Sequence, residues 1–183
     1  MPRIRTYDPK TSNPSAYTAR HPQSAEDEIG DFLWGVIRLT HPDHVLETGS
    51  YEGDTTRRMV DAVTRNGHGL VTTVELDPSR AEAVAKRNPA ARVLTGSYDT
   101  VDLAPPDGGS YGVAFFDSHW ERDREYHAAR PFLRAGAVLA FHDCGPQHRH
   151  GMVRERVEGL MRDGLIRGFY IPCPRGVILA VNE

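Results

Sequence analysis

Val45-Leu46-Glu47-Thr48-Gly49-Ser50-Tyr51-Glu52-Gly53-Asp54-Thr55 is the stretch on which the fold turns. The apolar residues Val45 and Leu46 predict a short strand over His44 to Glu47, and a helix enters at about Thr55. Between them lies a Glu-x-Gly-x-x-x-Gly turn. Gly49 permits the sharp bend there, and Gly53 permits close approach of backbone to a ligand. In a doubly wound sheet, ligands sit beyond the carboxyl ends of the strands, at the crevice where strand order reverses. A turn of this kind lies at such a crevice.

Outward from this turn, short apolar runs alternate with amphipathic stretches, the pattern of βα units around a parallel sheet. Further strands are predicted at Leu70 to Glu75, Arg92 to Thr95, Val113 to Asp117 and Ala137 to His142, with helices at Thr55 to Arg65, Pro78 to Asn88, Glu121 to Leu133 and Met152 to Asp163. A preceding helix starts with Ser24 as N-cap, carries Glu26, Asp27 and Glu28 in its first turn, and ends at Pro42. Ile166 to Pro172 and Gly176 to Val181 flank a Pro-Arg-Gly turn and read as a terminal β-hairpin. The expected fold is therefore α/β: a Rossmann-like, doubly wound, mostly parallel sheet closed by an antiparallel C-terminal hairpin. Residues 1–21 hold three prolines and many polar residues and read as an arm or lid, leaving 22–183 as one domain.

Composition narrows the function. At 183 residues the chain can bury one good core, and 39% hydrophobic with 26% charged residues is ordinary for a globular domain. A formal net charge of −3 gives no reason to expect a nucleic-acid surface. No apolar run reaches membrane-spanning length and no signal peptide opens the chain, so a cytoplasmic protein is expected. Cys144 and Cys173 lack a CxxC spacing, which suggests neither a disulfide framework nor a cysteine-rich zinc site.

The charge of the glycine turn selects its ligand. Neither GxGxxG nor GxxxxGK[ST] occurs, and Glu47, Glu52 and Asp54 would repel a phosphate while welcoming a sulfonium with an α-amino group. The next strand ends Val74-Glu75-Leu76-Asp77, which places an acid where it can accept both hydroxyls of a ribose. With these features the chain resembles the class I S-adenosylmethionine-dependent methyltransferases from about Ser24 to its end. It looks most like the small-molecule O-methyltransferases related to catechol O-methyltransferase, together with the bacterial sugar O-methyltransferase and cephalosporin hydroxylase group. The resemblance implies that Glu47, Gly49, Ser50, Tyr51, Gly53 and Thr55 surround the methionine part. Glu75, beside Leu76, would hold the ribose, and Ser97 and Tyr98 would lie against the adenine.

A second constellation stands at the tips of the fourth and fifth predicted strands: Asp117-Ser118-His119-Trp120 and His142-Asp143-Cys144. Adjacent parallel strands would bring Asp117, His142 and Asp143 together facing the crevice. Such a group can hold a divalent cation that polarises a substrate hydroxyl. The catechol-type resemblance likewise implies a metal held by Asp117, His142 and Asp143, either Mg²⁺ or Mn²⁺. His142 stands where metal-dependent members carry a carboxylate, and imidazole suits manganese, iron or zinc better than magnesium, so either the metal differs or none is bound. In a metal-free version His142 would be the general base, a role that contributes roughly 10² to 10⁴ in rate. Glu121 follows Trp120 where the catechol-type enzymes have a lysine, so that lysine's role does not transfer.

His119 and Trp120 would pack near the adenine or the substrate, or else serve as a helix-start cap and a packed aromatic. Glu121 to Glu125 reads as a solvated helix face with i,i+3 and i,i+4 pairs. His148 and His150 read as solvated loop residues. The expected reaction is attack by a small-molecule hydroxyl, oriented by Asp117 and His142, on the sulfonium methyl. The rivals are N- or C-methylation, a metal-dependent hydrolase or hydroxylase using Asp117, His142 and Asp143 without a methyl donor, and a non-enzymatic module. With only a short arm to cover it, the crevice is open, which fits a homodimer.

Overall fold

The computed structural model describes residues 4–5, 18–19, 21, 23–146 and 151–183. The chain runs β1 (Ile4–Arg5), β2 (Thr18–Ala19), α1 (Asp27–Thr40), β3 (His44–Thr48), α2 (Asp54–Asn66), β4 (Leu70–Glu75), α3 (Pro78–Arg87) and β5 (Arg92–Thr95). It continues with β6 (Tyr111–Phe116), α4 (Arg122–Ala129), β7 (Leu133–Phe141), α5 (Met152–Arg162), β8 (Ile166–Ile171) and β9 (Val177–Asn182). Seven strands form one sheet in the order β5-β4-β3-β6-β7-β9-β8. The first five are mutually parallel, while β9 is antiparallel to both β7 and β8. This is the expected doubly wound sheet with its terminal hairpin, and strand order reverses between β3 and β6. Most of the expected N-terminal arm and the His148 and His150 loop lie outside the described residues, although β1 and β2 pair antiparallel.

Each central strand is buried on both faces, and its period of two divides the core. Val45, Val71, Val113, Phe115 and Ala140 pack with Ile29, Leu33 and Ile37 of α1 and Met59, Ala62 and Val63 of α2. Leu46, Ala114, Phe116, Leu139 and Phe141 pack on the other side with Tyr126 and Ala129 of α4 and Val153, Val157 and Leu160 of α5. Covering both faces in this way leaves only the strand ends open to a ligand.

Three boundaries differ from expectation for identifiable reasons. Ser24 does not cap α1. Glu26 holds the cap position with extended backbone and makes no side-chain cap, because its carboxylate is turned into the protein. The helix expected over Glu121 to Leu133 stops at Ala129 and tightens into a 3₁₀ turn at Arg130–Phe132, where Pro131 cannot supply an amide donor. Strand β7 begins at Leu133, earlier than expected, and carries its exposed start Arg134-Ala135-Gly136 outside the core.

Candidate active site

Strand register builds the site. Thr48, Phe116 and Phe141 lie abreast at the ends of β3, β6 and β7. The amide of Asp117 donates to the Thr48 carbonyl at 3.0 Å, and the amide of His142 donates to the Phe116 carbonyl at 3.1 Å. The chain then diverges at the switch point and opens a cleft of about 490 Å³. Its floor is Gly49, Val74 and the strand tips, and its walls are Tyr51, Glu75, Leu76, Arg80, Gly96 to Asp99, Asp117 to His119 and Glu121. Gln23, Ser24 and Ala25, ahead of α1, also line the cleft, although the sequence marked Ser24 only as a helix cap.

Gly49 is required by two facts. Its φ is +83°, and a Cβ there would meet the Ser118 Cα at 2.5 Å and the Asp117 carbonyl oxygen at 2.6 Å. The two strand tips can be this close only because residue 49 has no side chain. Tyr51 and Asp143 also have positive φ, at 49° and 63°, so strained backbone gathers around the cleft. Glu75 is buried and stapled in place: its Oε2 accepts from the Tyr51 amide at 2.8 Å and its Oε1 from the Asp77 amide at 3.0 Å. The Arg80 guanidinium lies 4.6 Å from the centroid of the Tyr51 ring.

Of the residues expected around a cofactor, Gly49, Tyr51, Glu75, Leu76, Ser97, Tyr98, Asp117 and His119 line this cleft. Glu47, Ser50, Gly53, Thr55 and Trp120 do not. Glu47 lies beneath the turn and accepts hydrogen bonds from Thr56 and Thr73. Ser50 is buried and turned toward Glu75. Gly53 allows close approach to α3, where a Cβ would meet Asn88 at 2.9 Å and Val84 at 3.2 Å, and not to a ligand. Thr55 borders a narrow crevice shared with the start of α1. Trp120 packs against the core with the Arg156 guanidinium 5.3 Å from its ring centroid. The acidity of the cleft thus comes from Glu75, Asp99, Asp117 and Glu121, rather than from Glu47, Glu52 and Asp54.

The strand-tip cluster is present but differently wired. Ligand atoms of Asp117, His142 and Asp143 all fall within 4.8 Å of one another. His142, however, is completely buried, with Nδ1 2.9 Å from Asp117 Oδ1 and Nε2 2.8 Å from Glu26 Oε2. Burial opposes its charge, yet the adjoining carboxylates of Asp117, Asp143 and Glu26 outweigh that penalty and raise its pKa to about 10. Both ring nitrogens of His142 are thus in short contact with carboxylates and the residue does not line the cleft, so the general-base role expected of it finds no free nitrogen beside an acceptor.

Charged residues that read as solvated in the sequence complete the cluster. Arg122 is 1% exposed and donates to Glu125 at 2.7 Å, to Asp117 at 3.2 Å and to the His142 carbonyl at 3.2 Å. Glu125, also buried, accepts from Thr48 and from the amides of Ser118 and His119, so it fixes the loop that lines the cleft. Arg175, in the β8–β9 turn, forks onto Asp143 at 2.7 and 3.0 Å and donates to the Ser24 carbonyl at 2.8 Å. Its amide donates to Glu26 at 3.1 Å. Helical spacing could have revealed part of this, since Arg122, Glu125, Tyr126 and Ala129 form an i, i+3, i+4, i+7 stripe and all four are buried.

In an open doubly wound sheet, ligands bind in the crevice at the switch point, where this chain has its acidic cleft. A family model described as a methyltransferase domain matches residues 46–144, more than half of the chain, and the chain belongs to that methyltransferase family. The reading as a hydrolase or hydroxylase working without a methyl donor is not favoured. No curated protein matches the sequence. Among solved structures, the chain is similar to the Bacillus cereus O-methyltransferase in complex with SAH, at 16% identity and TM-score 0.73, covering 89% of this chain and 84% of that one. It is also similar to TomG from Streptomyces achromogenes, an O-methyltransferase of tomaymycin synthesis in complex with SAM, at 21% identity and TM-score 0.73, covering 88% and 82%. SAH-bound PaMTH1 from Podospora anserina matches at 17% identity and TM-score 0.72, covering 90% and 83%. At these identities the shared property is the fold. Among the described residues no helix is long and apolar enough to cross a membrane.

Proposed function

We propose that this chain is an S-adenosylmethionine-dependent methyltransferase that methylates a hydroxyl of a small molecule held in the cleft. The observation that carries the reading is the position of Glu75, a buried acid stapled by two backbone amides at the tip of β4 and lining the cleft beside Tyr51 and Ser97. A carboxylate held in this way is oriented to receive further donors, as the two hydroxyls of a ribose require. Carboxylates outnumber the single guanidinium of Arg80 in the lining, and even with Asp117 and Glu121 paired to Arg122 and Arg124 behind it, Glu75 and Asp99 make it more favourable to a sulfonium and an α-amino group than to phosphate. The cleft's size falls within the roughly 300 to 1,000 Å³ usual for small-molecule sites.

S-adenosylmethionine, when bound, supplies a sulfonium-bound methyl group that an oxygen can attack. Gly49 and Tyr51 would hold its methionine part, Glu75 its ribose, and Ser97 and Tyr98 its adenine. The chain's own contribution is to align two reactants and exclude water, for which well-oriented pairs gain about 7 to 11 kcal/mol. Asp117 is the cluster carboxylate that lines the cleft, and its Oδ1 is fixed by Arg122 and His142. It would accept a hydrogen bond from the acceptor hydroxyl, orient that oxygen, and be the carboxylate to which its proton passes.

Calorimetry with S-adenosylhomocysteine tests the cofactor assignment. The wild type binds, and Glu75→Ala weakens binding by on the order of tenfold, the effect of about one lost charge-assisted hydrogen bond. No binding by the wild type would overturn the assignment, and an unaltered affinity in the variant would remove Glu75 from it.

A further inference from the structure

We propose that the strand-tip carboxylate cluster is closed by guanidinium groups instead of a divalent metal, with Arg175 as the residue that keeps a cation out. Of the three side chains that could ligate a metal, Asp117 and Asp143 are each already paired with a guanidinium, and both nitrogens of His142 are in contact with carboxylates. Arg175 covers both oxygens of Asp143, at 2.7 and 3.0 Å. Arg122 reaches Asp117 at 3.2 Å and Asp143 at 3.5 Å from the same nitrogen, so it bridges the two carboxylates at the place where a shared ion would bind. His142 sits between Asp117 and Glu26 with both ring nitrogens in short contact with carboxylate oxygen, so no nitrogen lone pair is turned toward a metal.

The pairing of the carboxylates points the same way. Asp117, Glu125 and Asp143 each meet Arg122, Asp143 also meets Arg175, and Glu26 accepts from the Arg175 amide, so every carboxylate of the cluster already has a cationic or amide donor. A divalent ion added there would stand within a few ångströms of two guanidiniums, one of which, Arg122, is fully buried. Metals prefer acidic oxygen sites with unopposed charge. Arg122 belongs to the α4 stripe and its loss would also free Glu125. Arg175 is more peripheral, with a side chain 18% exposed, and its loss would free Asp143. Arg175 is thus a positioning residue: it holds Asp143, and through Ser24 and Glu26 it joins the β8–β9 turn to the wall of the cleft.

The inference concerns the carboxylates alone and holds whatever ligand fills the cleft. Its test is a Mn²⁺ titration of the metal-stripped protein followed by electron paramagnetic resonance, with S-adenosylhomocysteine affinity measured separately with and without EDTA. The wild type takes up no Mn²⁺ at millimolar concentration, and its S-adenosylhomocysteine affinity is indifferent to EDTA. Arg175→Met, which keeps the apolar stem and removes the charge, gains Mn²⁺ affinity by at least about tenfold over the wild type, and Arg175→Lys loses that gain again. Stoichiometric Mn²⁺ uptake by the wild type that disappears in Asp143→Asn would overturn the proposal, and this arm needs no variant of Arg175 to fold. A folded Arg175→Met that still takes up no Mn²⁺ would overturn the role given to Arg175. A loss of S-adenosylhomocysteine binding with no change in Mn²⁺ behaviour would count against the cofactor reading only.

Discussion

Glu47 lies fully buried beneath the glycine turn, where the hydroxyls of Thr56 and Thr73 donate to its Oε2 while its Oε1 has no hydrogen-bond partner. Burial raises its pKa, the two threonines lower it, and the charges of Asp117 and Glu75 raise it further, with a net value of about 7 against 4.5 for the free side chain. The native state therefore holds a proton that the unfolded chain has already released between these two values. Stability falls as pH rises through that window, and the ionised group costs on the order of 3 kcal/mol above it. Glu47→Gln removes the titration. Urea unfolding should find the variant more stable relative to wild type at about pH 8 than at about pH 4, by roughly 3 kcal/mol at most. An equal difference at both pH values would show that Glu47 does not titrate in this way. In the sequence Glu47 is visible as the acid of the turn, but the threonines that surround it come from α2 and β4. Proximity that arises only on folding decided its role.

At the scale of the element, the β3–α2 turn and the β6 tip form one packed unit. Gly49→Ala would combine a left-handed backbone with a Cβ 2.5 Å from Ser118. Strain and overpacking are each worth about 1 to 3 kcal/mol, so the variant should lose a few kcal/mol in chemical denaturation and, as the tips part, its affinity for S-adenosylhomocysteine. Retention of both would mean that the tips can separate without consequence. The strands themselves were legible because burial on both faces leaves uninterrupted apolar runs such as Val113 to Phe116. Helix α4 was not. Its charges lie on both faces, and a run such as Glu121 to Glu125 is usually solvated. Arg122 and Glu125 can be buried only because Asp117, Thr48 and the amides of Ser118 and His119 come from elsewhere to meet them.

At the scale of the whole molecule, the doubly wound sheet, its switch-point crevice and the antiparallel hairpin follow from local patterns and were anticipated. The cluster behind the cleft was seen only where it stands at strand tips, at Asp117, His142 and Asp143. Glu26 looked like an ordinary helix-start acid and Arg175 like an exposed turn residue, since no periodicity marks a charge that will be buried by a partner far along the chain. Their contact spans 149 positions, and that of His142 with Glu26 spans 116. Both Glu26 and Arg175 lie outside the residues that the methyltransferase family model matches.

This reach gives the Arg175 side chain a kinetic meaning. Its guanidinium donates to the Ser24 carbonyl across 151 positions, and a contact of such long range carries a large loop-closure cost, so it is expected to form after the rate-limiting step of folding. Arg175→Met should speed unfolding in stopped-flow denaturation while leaving the refolding rate nearly unchanged; a slowed refolding arm would place the contact in the nucleus instead. With that outcome, the apolar strands would assemble first as a scaffold and the charged wall of the cleft would be the last part completed and the first to open.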